Sequence, residues 1–453
     1  MTKNNLPLLP RMDDLRETIG RVLLPQITGQ VAEVAGPMIR ATGMTAPIGA
    51  VCRIFPRKRS PLLVKVVGFH QDAPVLAPLE VADGISAGDS VEVIDSSLRI
   101  PVGESLCGRV IDALGRPLDN RPMPEGLCYI AMDDSPPQPL DRPTIRQILP
   151  TGIRAIDGML TCGAGQRLGI FAGSGVGKST LLSMLTRGTK ADIVVIGLVG
   201  ERGREVREFL DEALGPEGLK RSVVIVATSD QPATLRIQAA WSATAIAEYF
   251  RNQGKNVLLL IDSVTRLALA QREIGLAAGE PPTTRGYPPS VFDQLPRLVE
   301  RAGKTSKGSI TAFYSVLVEG DDMNDPIADC LRGLLDGHIV LSRRLAEAGH
   351  YPAIDILASL SRLQSHVAPA EVIQAAQVVR SRMAEFRRHE DLVSVGAYRP
   401  GSNTLLDAAI ATREQTKQFL NQSTKLLVPL DTTFSLLKQL IAPATTGKIE
   451  GAK

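Results

Sequence analysis

Aromatic residues are scarce in this chain. Phe, Tyr and Trp together make up 4% of 453 residues, and there is one Trp. The first 100 residues hold only Phe55 and Phe69, with no Tyr or Trp. Proteins that bind single-stranded nucleic acid rely on aromatic platforms for base stacking, so this region is poor material for one. Net charge is also small. Lys and Arg number 51 against 48 Asp and Glu, a formal charge of +3. No global basic field points to nucleic acid. The one basic cluster near the start, Arg57-Lys58-Arg59, reads as a solvated loop. The five cysteines, Cys52, Cys107, Cys128, Cys162 and Cys330, include no C-x-x-C pair, and their number is odd. They read as free thiols of a reducing compartment, mostly small buried hydrophobes, with no zinc site. Long apolar runs are missing too. VLLLI, Val257–Ile261, is strand-sized and too short to span a bilayer. The opening MTKNNLPLLPRMDD has no long apolar core and no small-residue cleavage site, so no secretory signal is expected. Internal repeats and low-complexity tracts are not evident.

What is present fits a soluble globular chain: 44% hydrophobic and 22% charged residues. Its length calls for two or three domains. Residues 1–24 stand apart. There Leu15, Ile19 and Val22 fall on one helical face, an amphipathic segment that packs on its own domain or docks a partner. From 25 to 100, short β-rich runs alternate with turns such as Asp83–Gly84, the pattern of a small antiparallel barrel. The Pro-rich DDSPPQPLDRP, Asp133–Pro143, is a stiff surface connector. Within 101–366, apolar runs (QRLGIFA, DIVVIGLVG, SVVIVATS, NVLLLID, GSITAFYSVLV) alternate with helical patterns. Parallel strands covered on both faces give such runs, so this is an α/β domain. From 367 to 453 only helical periodicity remains, which predicts a C-terminal helical domain.

The chemistry begins at AGSGVGKST, Ala172–Thr180. A strand pattern enters it and a helical pattern leaves it, the setting a phosphate-binding loop requires. Gly173, Gly175 and Gly177 let the backbone amides of Gly173, Ser174, Gly175, Val176 and Gly177 turn around an anion. The helix N-terminus adds its dipole. Lys178 is placed to bridge β- and γ-phosphates, and the Ser179 hydroxyl to ligate Mg²⁺, with Thr180 next in line. The first motif position is Ala172 instead of glycine, which suffices where φ is not positive. A second carboxylate for the metal, directly or through water, is Asp262, ending the strand of NVLLLIDSVTR. Hydrolysis needs a group that orients and deprotonates water. Glu201 in LVGERGREVREF is the best candidate, with Arg202 and Arg204 beside it for anions.

Taken together, several long stretches resemble one family. They are GIRAIDGMLTCGAGQRLGIFAGSGVGKSTLL, GERGREVREF, LLLIDSVTRLALAQREIGLAAGEPPTTRGYPPSVF, SVLVEGDDMNDPIADCLRGLLDGHIVLSR and HYPAIDILASLSR. The chain resembles the ATPases of type III protein export, which serve the bacterial flagellum or virulence injectisomes and are homologous to the α and β subunits of rotary ATP synthases. The likeness is dense from Gly103 to Arg362, fair through Val395–Asn403, and weak in the first 25 and last 40 residues. It implies a P-loop, RecA-like fold and a homohexameric ring with ATP and Mg²⁺ between subunits. It assigns phosphate and metal roles to Lys178, Ser179 and Asp262, the base to Glu201 and adenine packing to Tyr351. Arg362 matches the finger that reaches a neighbour's γ-phosphate in trans. The loop Gly286-Tyr287-Pro288-Pro289 is expected near a central pore.

The resemblance also implies partners: a stator-like regulator at the N-terminal helix, a coiled-coil central stalk, export chaperones and substrates, and a membrane export gate. The place implied is the cytoplasm, peripheral to the inner-membrane export apparatus. SRRLAEAGHYPAID and VGAYRPGSN favour a flagellar member, with an injectisome ATPase as the alternative. A rotary synthase catalytic subunit is a weaker reading, because nothing like its acidic DELSEED motif is present. A Rho-type RNA translocase is the least favoured, for want of aromatics.

Overall fold

The computed structural model describes residues 28–441. The amphipathic segment expected over residues 1–24 lies outside them. The chain forms two compact units, dividing after Leu98.

The first unit is a closed six-stranded barrel. Its strands are β1 (Thr28–Ala35), β2 (Met38–Thr42), β3 (Val51–Phe55), β4 (Leu62–His70), β5 (Ala73–Pro78) and β6 (Ser90–Asp95). They close in the order β1-β2-β5-β4-β3-β6, with every pair antiparallel. Alternation along the strands fills the interior: in β4, Leu62, Val64 and Val66 are buried while Leu63 and Lys65 are only partly covered. Ile39, Cys52, Ile54 and Leu76 complete that core.

In the second unit, β7 (Arg99–Val102) pairs with β9 (Cys128–Ala131) as a small ribbon. The main sheet has nine strands: β8 (Arg109–Asp112), β10 (Arg167–Ala172), β11 (Ile193–Glu201), β12 (Ser222–Thr228), β13 (Asn256–Asp262), β14 (Gly303–Lys304), β15 (Ser309–Leu317), β16 (Gly337–Val340) and β17 (Leu360–Ser361). The order is β17-β16-β10-β15-β13-β11-β12-β8, with β14 alongside β15. Only β14 and β17 run antiparallel to their neighbours. The parallel strands are buried along nearly their whole length, as their unbroken apolar runs require.

Helices cover the sheet: α1 (Lys178–Gly188), α2 (Ala233–Asn252), α3 (Val264–Ala277) and α4 (Pro289–Glu300). They are followed by α5 (Ala370–Arg388), α6 (Thr404–Leu420) and α7 (Leu430–Ile441). These last three form the helical C-terminal region. Val372, Ala375 and Val379 of α5, Phe419 of α6 and Leu437 of α7 join the same hydrophobic cluster as β10, β11 and α1. Helical periodicity marks them as helices but does not say what their apolar faces meet. Among the described residues, no helix is long and apolar enough to cross a membrane.

One buried ionic knot ties the far face of the sheet together. Arg301, just past α4, is fully buried. It donates to both carboxylate oxygens of Glu248 on α2 and to the carbonyl of Met132. Its guanidinium stacks over Trp241, 5.5 Å from the ring centre. Burial raises the pKa of Glu248, and Arg301 opposes that rise. Arg301→Leu leaves Glu248 buried without its principal partner, and breaking such a pair costs about 3–5 kcal/mol. We expect a clear fall in the urea unfolding midpoint, largely recovered when Glu248→Leu is added. No change in the single variant contradicts this assignment.

Candidate active site

Strand β10 delivers the phosphate-binding loop. Ala172 ends the strand in extended backbone and is buried, so the alanine at the motif's first position meets no positive-φ requirement. Gly175 and Gly177 do, with φ of 76° and 99°. Val176 between them inserts into the core and pins the loop down. Gly177 caps α1, so the free amides of the first helical turn face the loop. Ser174, Gly175 and Ser179 are exposed there.

Sheet order then gathers the charged groups. Parallel register sets Asp262, the last residue of β13, opposite Leu198 of β11, three residues before Glu201 ends that strand. From β15, Ser315 donates a 2.5 Å hydrogen bond to Asp262 Oδ1. Lys178 Nζ forms an ion pair with that same oxygen and lies 3.5 Å from Glu201 Oε1. Arg266, on the first turn of α3, holds Glu201 Oε2 at 3.2 Å and donates to the carbonyl of Gly200. The sequence therefore brings Lys178, Ser179, Glu201 and Asp262 to one place, and the structure adds Ser315 and Arg266.

Burial governs the electrostatics. Glu201 is 6% exposed, and its Oε1 accepts no hydrogen bond among the described residues. Burial is the main cause that pushes its pKa up to about 7. Asp262 and a hydrogen bond with Glu205 push the same way, while Lys178 and Arg266 pull it back. For Lys178, burial alone favours the neutral amine, but Asp262 and Glu201 together raise its pKa, so it stays charged.

Glu201 and Asp262 line a cavity of about 550 Å³, the size of a small-molecule site. Ser179, Thr180, Glu201, Glu205 and Asp262 form its polar side. Phe209, at the start of a π-helical turn (Phe209–Leu214), forms an apolar wall. Thr424 and Lys425 close it from the C-terminal part. The turn carrying them is firmly wired. Gln422 is buried, donates to the carbonyls of Gly152 (2.8 Å) and Leu426 (2.7 Å), and accepts from the Arg154 amide (2.9 Å). Its backbone N–H bonds the Tyr351 carbonyl at 2.7 Å.

Tyr351 lies against the loop, so close that a Cβ on Gly177 would stand 3.3 Å from its ring. Arg202 does not line the cavity. Its side chain is 75% exposed and pairs with Glu205 at 3.6 Å. Arg362 also stands away from its own loop. It follows β17 at the sheet edge, beyond the end of β10 where Arg167 begins the strand. Five strand residues, about 17 Å, separate that end from Ala172. The loop Gly286–Pro289 is separate again: Tyr287 is buried under the Arg272 guanidinium, 5.6 Å from the ring centre.

Comparison with known proteins fits this geometry. Residues 152–361 match the nucleotide-binding domain of the ATP synthase alpha/beta family, and residues 368–439 match the C-terminal domain of the T3SS EscN ATPase. The flagellum-specific ATP synthase of Bacillus subtilis is 53% identical over 414 residues, 91% of this chain and 94% of that one. A type 3 secretion system ATPase of Xanthomonas euvesicatoria is 50% identical over 412 residues, 90% and 93% of the two chains. The solved structure of the assembled ATPase EscN from the enteropathogenic E. coli type III secretion system superposes with a TM-score of 0.87 at 46% identity, covering 91% of this chain and all of that one. EscN in complex with its central stalk EscO gives 0.84. With this identity running over nine-tenths of its length, the chain belongs to the family of flagellum-specific ATP synthases and type III secretion ATPases, within the ATP synthase alpha/beta superfamily.

Proposed function

We propose that the protein hydrolyses ATP in the cavity beside its phosphate-binding loop and uses the energy to drive type III protein export. One observation carries this reading: Lys178, Asp262 and Glu201 converge at the mouth of the loop. The chain assembles as a homohexameric ring, with each site completed by a neighbour.

Loop amides and the α1 N-terminus wrap the phosphates. Lys178 exchanges its carboxylate partners for the β- and γ-phosphates. Glu201 orients the attacking water and takes its proton. Arg362 of the neighbouring subunit reaches the γ-phosphate, since it stands too far from its own loop to serve there. Tyr351 packs on the adenine. Arg202, on the solvent side of the Glu201 turn, contributes to the anionic field and holds Glu205.

The donor set fits Mg²⁺. Ser179, Asp262 and Glu205 offer hard oxygens on the polar side of the cavity. That suits an ion that keeps substrate phosphates and water as ligands. Ser179 and Asp262, the latter through water, would hold it. Bound there, Mg²⁺ supplies neutralisation of phosphate charge.

The flagellar system is the favoured setting, supported by the 53% identity to the Bacillus subtilis protein. An injectisome is the second reading, supported by the EscN likeness. A coiled-coil stalk entering a pore lined by Gly286–Pro289 follows from the EscN–EscO complex by analogy. A regulator at the N-terminal segment, chaperones and export substrates, a membrane export gate, and a cytoplasmic place beside the inner membrane complete the proposal.

ATPase activity against protein concentration tests the ring. Specific activity should rise steeply with concentration. Arg362→Ala should lose about 10³-fold or more in kcat, and Glu201→Gln about 10²–10⁴-fold. Activity independent of concentration, with Arg362→Ala unaffected, contradicts the shared site.

The pH profile is a second test. A base must be ionised to work, and a raised pKa moves its ionisation to higher pH. Lys178 and Arg266 face Glu201 with positive charge, Asp262 and Glu205 with negative, and the last pair with burial prevails. We expect kcat/KM to climb with pH along an acid limb centred near 7. A limb near the ordinary glutamate value, about 4.3, contradicts a desolvated base.

A further inference from the structure

Arg362 combines an immobilised backbone with a free side chain. Its amide N–H donates to the Asp336 carbonyl at 2.9 Å. The residue before it, Ser361, is buried. Ser361 Oγ accepts from Gln166 Nε2 (3.1 Å) and donates to the Thr161 carbonyl (3.0 Å). Gln166, fully buried, also donates to the Asp336 carbonyl at 3.0 Å. Gly337 permits this closeness, because a Cβ there would lie 2.4 Å from the Leu360 carbonyl oxygen. The Arg362 guanidinium, by contrast, is exposed and makes one bond, to the Arg332 carbonyl at 3.0 Å.

What holds Asp336 is Arg167, the first residue of the phosphate-loop strand β10. The Asp336 carboxylate accepts from Arg167 Nε (3.0 Å), from Nη2 (3.1 Å) and from the Arg167 backbone N–H (3.0 Å). In return the Asp336 N–H donates to the Arg167 carbonyl at 2.8 Å. A two-residue edge strand such as β17 needs no such clamp for burial, since Leu360 is 47% exposed. The fork of a guanidinium on a carboxylate fixes angle as well as distance.

We propose that Asp336, clamped by Arg167, is a positioning residue for Arg362. The clamp sets the backbone from which each subunit presents its guanidinium to the next subunit's ATP. It also makes that arm one rigid piece with the strand leading to the subunit's own phosphate loop. This rests on the reading that Arg362 acts in trans, and the test separates the two.

Mixed rings isolate the arm. Arg362→Ala subunits keep Glu201 but lack the guanidinium. Glu201→Gln subunits supply the guanidinium but have no working base. Turnover in a mixture therefore comes from interfaces that pair one of each. The donor is then changed to Glu201→Gln/Asp336→Ala, whose own site was already silent, so any loss reports on the arm alone. We expect kcat to fall about 10–100-fold, the scale of a misplacement near 1 Å, with KM for ATP within about two-fold. A milder donor, Glu201→Gln/Arg167→Lys, keeps the charge but loses the fork, and serves if the first fails to enter rings as judged by native mass spectrometry. It should show a smaller loss of the same kind. Turnover equal to that of the parent donor overturns the positioning role and leaves the trans arm standing. If the parent mixture itself restores nothing, the trans reading falls, and this inference with it.

Discussion

The site is organised around one partly buried cation. Lys178 follows a glycine turn onto the first position of α1, where its ammonium lies between the carboxylates of Asp262 and Glu201. Neither carboxylate is comfortable there without it, because both sit at the ends of strands buried in the sheet. Nor is Lys178 comfortable without them, since burial alone would discharge it. The three groups store the charge pattern that a triphosphate requires. On the proposed reading, a triphosphate would offer Lys178 another anionic partner and leave the two carboxylates free to hold a metal and orient water.

That arrangement depends on strand order. Asp262, Ser315 and the loop after Ala172 come from three adjacent parallel strands, β13, β15 and β10, and Glu201 comes from the next one out. A one-residue slip in any pairing would turn these side chains to the other face. Unbroken burial along β11, β13 and β15 makes slippage costly. Toward the other edge, the same sheet places Arg362 beside β16, on the far side of its own loop. A single sheet thus carries the phosphate loop and, two strands away at its edge, Arg362, which the proposed function assigns to a neighbouring subunit's site.

Much of this was legible in the sequence because the residues stand in contiguous motifs. Lys178 and Ser179 lie in the glycine loop, and Asp262 and Glu201 end apolar runs, so strand–loop–helix logic located them. Strand ends that converge in space are still separate in the chain. Ser315 sits in the middle of an apolar run and meets Asp262 only through pairing across 53 residues, which no local pattern reveals. Thr424 and Lys425 reach the cavity from a turn after α6 that Gln422 anchors, in a stretch that read only as helical periodicity. Arg266 had a signal, in its four-residue spacing from Asp262 at the start of a helix, but charge alone did not distinguish it. The roles of Tyr351 and Arg362 came from family likeness alone. Periodicity over the last three helices marked a helical C-terminal region, which a C-terminal domain model matches over residues 368–439, but it did not say that their apolar faces pack on the nucleotide core.

The central claim, that Lys178 and its two carboxylates hold one another in the site, is tested most directly by a double-mutant cycle on nucleotide-free protein. Thermal stability would be followed between pH 6 and 8 for wild type, Lys178→Met, Asp262→Asn and the double variant. Without Lys178, Glu201 loses the charge that pulls its raised pKa back down, and holding it neutral in the folded protein costs more stability as pH rises. The account predicts that Lys178→Met lowers Tm, that the deficit grows from pH 6 to pH 8, and that adding Asp262→Asn restores part of it. A Lys178→Met protein as stable as wild type at pH 8, with effects that simply add, would contradict it.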